Sequence, residues 1–375
     1  MKILIIPDKF KDSLSSVEVC DAIETGINEG LSNAQIVKIP IADGGEGSLE
    51  VLEKVIQFER IYVQIKNPLL KNITTYYGML NNIAFIEMAS ASGLQLLKFY
   101  ERNPMLTTSF GTGEIILDAI NKAAKKIYLF IGGSATNDAA IGIASALGYK
   151  FLDEHNNILA PIGKSLIKIK AIDSSLAISL EGIEFNVLTD VKNILWGKEG
   201  AAFIFAGQKG ANNNEIEILD SGLQNISKII YNTFGIDVSQ IQGGGAAGGV
   251  GSGMVAFCNS KILNGINEVM ELLNIDYYIQ QSDFIITGEG LLDKQTLNGK
   301  LIKGVAERCK KMNKPFGIIC GDIKLSENEL QVINPSITKT LKVSGISKEE
   351  AIKNAFQLLV IRAQELIKEW NNKIC

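Results

Sequence analysis

The sequence predicts an α/β protein of two domains, one of them a Rossmann-like parallel-sheet domain assembled from both ends of the chain. Three observations predict it. Buried-strand runs at Ile3–Ile6 and Ile36–Ile41 alternate with helical stripes at the start. The same strand and helix rhythm returns from about residue 276. Between them lie short apolar runs separated by Asn-rich turns, which read as antiparallel strands. The expected division is a discontinuous domain, 1–60 with 276–375, and an inserted second α/β domain, 61–275. At 375 residues the chain is long for a single core.

The elements follow in order. After Ile3–Ile6 comes the loop Pro7–Ser13. Ser15 and Glu18 have capping-box spacing, and Val19, Ala22, Ile23 and Ile27 continue a helical stripe to Gly30. Ile36–Ile41 opens into Ala42–Ser48 and a helix from about Leu49 to Gln57. Ile61–Ile65, Ile73–Gly78 and Ile83–Met88 form the antiparallel block. Lys126–Ile131 reads as a strand running into Gly132–Asp138, either a tight turn or a loop whose amides bind an anion. Ile183–Leu188 ends at Asp190, and Phe203–Gly210 repeats the form of an apolar run followed by glycine. Gly243–Gly253 reads either as a flexible linker or as a backbone that closes around phosphate. Phe284–Ile286 is a buried strand expected to stop at the glycines of Thr287–Gly290. A last helix begins at Ser347, with Glu350 completing a second capping box.

Composition removes several functions. The net charge of −4 provides no basic footprint for nucleic acid and no polybasic patch for a membrane. No apolar run approaches bilayer length, and the opening segment is too soon interrupted by charge for a signal peptide. The five cysteines are scattered without a CxxC pair, which suits reduced thiols in the cytoplasm. His155 is the sole histidine and sits in a polar hairpin turn, so a catalytic base is expected among carboxylates or lysines.

Four loops after apolar runs carry acids: Asp8 with Asp12, Asp43 with Glu46, Asp190, and Glu289 with Asp293. Lys9, Lys11 and Lys294 are interleaved with them. Parallel strands would bring these loops to one sheet edge, facing a single cleft. Acids, lysines and glycine loops without histidine match phosphoryl transfer. Carboxylates hold Mg²⁺, lysines neutralise phosphate oxygens, amides cradle phosphate, and one Asp takes a hydroxyl proton.

Several stretches together resemble the type-1 glycerate kinase family. They are Pro7–Leu14, Ala42–Gly47, Glu101–Pro104, Ser109–Glu114, Gly132–Asp138, Gln208–Gly210, Gly245–Gly249 and Thr287–Gly290, in the family's order along nearly the whole chain. The resemblance implies two α/β domains around an active-site cleft. It also implies ATP- and Mg²⁺-dependent phosphorylation of glycerate in the cytoplasm, usually at the 2-hydroxyl. It points to Asp8, Lys9, Lys11, Ser13, Asp43, Glu46, Arg102, Asn137, Asp138, Asp190, Glu289 and Asp293.

On that basis Asp190 is the first choice of base, with Asp8 next, and Lys9 or Lys11 offsets charge on the transferred group. Arg102, Ser13, Asn137 and Asp138 are expected to bind substrate. Gly132, Gly133, Ser134, Gly248, Gly249 and Gly288 are expected around the ATP phosphates. Asp43, Glu46, Glu289 and Asp293 are the expected metal ligands. Glycerate and ATP are the expected partners, with no nucleic acid or membrane, and the chain is expected as a monomer or homodimer. The alternatives are a glycerate 3-kinase, an NAD(P)-dependent hydroxy-acid reductase and a non-catalytic sugar-acid sensor. Against the reductase, the first strand leads to Pro7-Asp8-Lys9-Phe10 and not to a G-x-G-x-x-G turn.

The chain departs from the family pattern at Ala139 and Ala140, where glycines are usual. It departs also at Ile194 and Lys198 (for prolines), at Ala206-Gly207, and at Leu291 (for an arginine). Methyl groups at 139 and 140 crowd a close phosphate, or else favour the start of a helix.

Overall fold

A computed structural model describes residues 1–11, 13–41, 47–294, 296–298, 301–342 and 347–374. The chain divides into two compact units, Met1–Asp43 with Ile266–Cys375, and Gly44–Gly265. The second is thus one continuous insertion into the first. Its limits differ from the sequence expectation at both ends. The helix Ser48–Val55, expected in the first domain, packs on strands of the inserted unit. Residues 266–275, expected in the insertion, fall in the first unit. A change in strand pattern marks where a new sheet begins, but it does not mark which sheet a preceding helix covers.

The first unit holds a five-stranded sheet of β1 (Lys2–Pro7), β2 (Gln35–Lys38), β11 (Phe284–Leu292), β12 (Phe316–Ile323) and β13 (Ile337–Thr340), in the order β13-β12-β11-β1-β2. Every pairing is parallel. Ile3, Ile5, Phe284, Ile286 and Ile319 face a core shared with the helices Ser16–Gly30 and Ala355–Ile374. Leu4, Ile6 and Ile285 alternate with them and are fully buried, so the sheet is covered on both faces. The capping boxes at Ser15/Glu18 and Ser347/Glu350 are both formed. The order reverses between β1 and β11, which makes the carboxyl ends of these two strands the switch point where such sheets bind ligands.

The second unit carries a six-stranded sheet in the order β10-β9-β6-β5-β4-β3. Its strands are β3 (Glu59–Lys66), β4 (Asn72–Leu80), β5 (Ile83–Glu87), β6 (Lys126–Phe130), β9 (Glu184–Thr189) and β10 (Lys261–Asn264). The antiparallel block is β3–β4–β5, and β5, β6, β9 and β10 run parallel. A separate hairpin pairs β7 (Lys150–Leu152) with β8 (Ala171–Asp173). The turn after β7 carries exposed His155 and is held by Asp153, which accepts from the His155 and Asn157 amides at 2.9 and 2.8 Å.

Three local expectations are corrected. First, β11 does not stop at Gly288 but runs to Leu292, paired with β12 throughout. Gly288 serves close strand approach rather than a turn: a Cβ on it would lie 2.2 Å from the Ile319 carbonyl oxygen. Second, Phe203–Gly210 is not a strand. Ala202–Ala206 forms a π-helical turn, continued by a 3₁₀ turn at Gly207–Lys209. Third, the glycine-rich run is packed helix rather than linker. The helix Ala246–Cys258 contains three left-handed residues, Ala247, Gly248 and Gly249. Cys20, Cys258, Cys309 and Cys320 are buried free thiols. Among the described residues no helix is long and apolar enough to cross a membrane.

Candidate active site

In the first unit the site is built where β1 and β11 end side by side. The Asp8 amide donates to the Gly288 carbonyl at 2.9 Å. Lys9 turns its amide back onto Asp8 Oδ1 at 2.7 Å. Gly290 lies against the backbone of Phe10 and Lys11, whose atoms a Cβ there would approach to 3.5 Å. Asp8, Lys9, Lys11, Gly288 and Glu289 are thereby gathered at the switch point. Asp293 joins them through Thr296. The buried Thr296 hydroxyl donates to Glu289 Oε1 and accepts from the Asp293 amide at 3.2 Å. Ser13, expected to bind substrate, instead donates its hydroxyl to the Ile352 carbonyl at 3.0 Å, tying the loop to the C-terminal helices. Leu291 lies within β11, opposite Asp322 of β12. Asp12, Asp43 and Glu46 lie outside the described residues.

In the second unit the parallel strands bring Glu87, Gly132–Asp138, Asp190 and Asn264 to one sheet edge. Asp190 follows β9, and its Oδ1 accepts from the Asn264 amide at 2.9 Å, which orients the carboxylate. Asn264 is the last residue of β10 and pairs with Thr189, so strand register alone brings the two side chains together.

The Gly132–Asp138 loop is held from three sides. Asp138 is fully buried. Its Oδ2 accepts from the Ser109 amide at 2.7 Å, the Ser109 hydroxyl at 2.8 Å and the Gly142 amide at 3.3 Å. Burial pushes its carboxyl up, and the bonds from Ser109 and Gly142 oppose that. Through Oδ2 this carboxylate joins the starts of the helices Phe110–Asn121 and Ile141–Ala146, while its buried Oδ1 has no partner. Behind the loop lies the glycine-rich helix. A Cβ on Gly248 would stand 2.1 Å from the Thr136 carbonyl oxygen, and Gly248 has φ +71°, so only glycine fits there. The Gly248 carbonyl accepts from the Ala139 amide at 3.0 Å, and the Gly249 amide donates to Gly245 at 3.3 Å. Gly248 and Gly249, expected to cradle phosphate, pack closely against Thr136, Asn137 and Ala139. Ala139 and Ala140 have φ of 49° and 60°. Ala140 stands at the N-cap of the helix Ile141–Ala146, and both alanines sit in the left-handed region, where a Cβ costs about 1–2 kcal/mol per residue.

On the third side is Lys209, which the sequence reading did not single out. It is 3% exposed and donates to Ser134 Oγ at 2.9 Å and to the Thr136 carbonyl at 2.7 Å. Burial pushes its amine down to about 7, against the pull of the Asp138 charge. Gly210, φ +99°, follows it and lets the chain pass the Arg102 carbonyl, 2.2 Å from where a Cβ would stand. Arg102 lies over the Phe99 ring at 5.9 Å, and its neighbour Asn103 donates to Glu215 at 3.0 Å. Glu87 is the second residue missed. It is buried at the end of β5 and accepts from the Gly47 and Leu49 amides at 3.2 and 3.3 Å, fastening the helix Ser48–Val55. An acid ending an apolar strand run was the signal used for the other four loops, and it was present here too.

Buried polar atoms without partners point to where a ligand belongs. Among them are both amide atoms of Asn137 and Nε of Arg102. Asn137 is fully buried, so its amide is an acceptor and a double donor held ready in a dry place.

Acids, lysines and glycine loops at the carboxyl ends of parallel strands define an α/β protein of the phosphotransferase class. The chain belongs to the glycerate kinase family, whose model, described as "Glycerate kinase family", matches residues 3–371. It is 39% identical over 373 residues to a glycerate kinase of Bacillus cereus, covering 99% of this chain and 98% of the relative. It is 41% identical over 326 residues to glycerate 2-kinase of Escherichia coli K12, covering 86% of each. A crystal structure of a glycerate kinase 2 candidate from Salmonella typhimurium LT2 superposes with a TM-score of 0.85 at 37% identity, covering 100% of this chain and 99% of that one.

Proposed function

We propose that this protein transfers the γ-phosphoryl group of ATP to the 2-hydroxyl of glycerate, giving 2-phosphoglycerate and ADP. The observation that carries the reading is the pair of buried, unpartnered groups on Asn137 and Arg102, set in a family of kinases. An arginine grips a carboxylate in bidentate fashion, and the Asn137 amide can both donate to a carboxylate and accept from a hydroxyl. Asp190, held by Asn264, takes the hydroxyl proton as the oxygen attacks phosphorus. Asp8 is the alternative base. Lys9 and Lys11 offset charge on the phosphoryl oxygens, and the amides of Gly132, Gly133 and Ser134 hold the phosphates, whereas Gly288, expected with them, lies within the β1–β11 ladder. Catalysis of this kind is mostly positioning and charge neutralisation.

Glu289 and Asp293 provide hard oxygen donors that fit Mg²⁺. Bound there, Mg²⁺ would neutralise phosphate oxygens. The protein is read as cytoplasmic, working as a monomer or homodimer. Incubation with D-glycerate and Mg²⁺–ATP, followed by phosphorus NMR, tests the reading. The expected product is 2-phosphoglycerate. Formation of 3-phosphoglycerate would overturn the position of attack, and no phosphoglycerate at all would overturn the function.

A further inference from the structure

A lysine is almost never fully buried unless paired. Lys209 is buried, yet among the described residues its amine contacts only the Ser134 hydroxyl and the Thr136 carbonyl. A methionine would fill similar space without the cost of desolvating an amine, which is large for a charged group. Stability alone therefore does not account for it. What it holds does. Ser134 and Thr136 bracket Ala135 and lead directly into Asn137, whose amide is buried without a partner. The next residue, Gly210, packs by its backbone on the carbonyl of Arg102. One dipeptide thus touches both pieces of the substrate site, the loop through a side chain and the arginine through the main chain.

We propose that Lys209 is a positioning residue for the hydroxy-acid substrate: its amine braces the Ser134–Thr136 segment so that Asn137 and Arg102 meet the same carboxylate. The proposal rests on the reading that glycerate binds at these two residues. A neutral amine has two N–H groups, enough for both bonds, and protonation adds a third donor and a charge. Among the described residues the charge that acts on it is Asp138, from the braced loop. With the amine titrating near 7, a carboxylate arriving at Asn137 favours the protonated form, so acid binding takes up protons from solvent.

The test begins with the native protein turning over glycerate; failure there sinks the functional reading and not this one. Given turnover, Lys209→Met is expected to lower kcat/KM for glycerate roughly 10- to 100-fold, with a clearly smaller loss toward ATP through the shared Ser134. Lys209→Ala is expected to recover with added propylamine but not with propanol. Equal losses toward both substrates, or no loss, would overturn the proposal. Should both variants fail to fold, the native protein still decides it. Calorimetry of glycerate binding at about pH 7.5, in two buffers of unlike ionisation enthalpy, is expected to show fractional proton uptake, and none would overturn it.

Discussion

The two units place chemistry at the same kind of edge but treat their polar groups in opposite ways. In the first unit Asp8, Lys9, Lys11 and Asp293 are partly or fully exposed near the ends of parallel strands, with Glu289 and Thr296 the buried exceptions. In the second, Thr107, Thr108, Ser109, Thr136, Asn137 and Asp138 are wholly buried and Lys209 nearly so. Exposed charge suits phosphates, whose own charge and hydration must be exchanged. A buried polar loop suits recognition of one small acid, because a rigid, dry site penalises any ligand that leaves a group unpaired. Glycine follows the same division. In β11 it brings two strands together while the strand continues. In the helix Ala246–Cys258 it lets a helix rest on the Gly132–Asp138 loop.

The largest expected effect tests which unit holds the base. Asp190→Asn should cut kcat by roughly 10²- to 10⁴-fold with little change in ATP affinity, measured by steady-state kinetics. If Asp8→Asn costs more than Asp190→Asn, the base belongs to the exposed set. A second comparison concerns glycine. A Cβ on Gly253 would stand 2.0 Å from the Ala139 carbonyl oxygen, whereas one on Gly290 meets nothing closer than 3.5 Å. In urea unfolding, Gly253→Ala should cost about 3 kcal/mol and Gly290→Ala less than about 1 kcal/mol. The smallest effect lies in the strained alanines. Ala139→Gly should leave stability unchanged or raise it by up to about 1 kcal/mol, because relief of left-handed strain outweighs the added chain entropy. A loss of more than that would mean that the methyl packs usefully against the glycine-rich helix.

Much of the first unit was legible in the sequence. Capping boxes, apolar stripes and strand runs are each written in residues a few positions apart, and they formed as read. The acid Asp190 after β9 was legible for the same reason, whereas Glu289, expected after a strand, lies within β11. The glycine segments were not. Glycine marks either a turn or a close approach, and the choice depends on what lies opposite: Ile319 for Gly288, and Thr136 for Gly248.

By itself, then, the sequence determined the α/β class, the antiparallel block, the family and most of the acids at the strand ends, because these rest on local periodicity and on short motifs kept in order. Only the tertiary structure decided that Lys209 is buried against Ser134 and Thr136, that Asp138 fastens two helices, and that Ser13 is turned to Ile352. The physical reason is sequence separation. Apart from the Gly142 amide, four positions from Asp138, the partners of these groups lie from 29 to 339 positions away, and no local pattern encodes which distant group a side chain will meet.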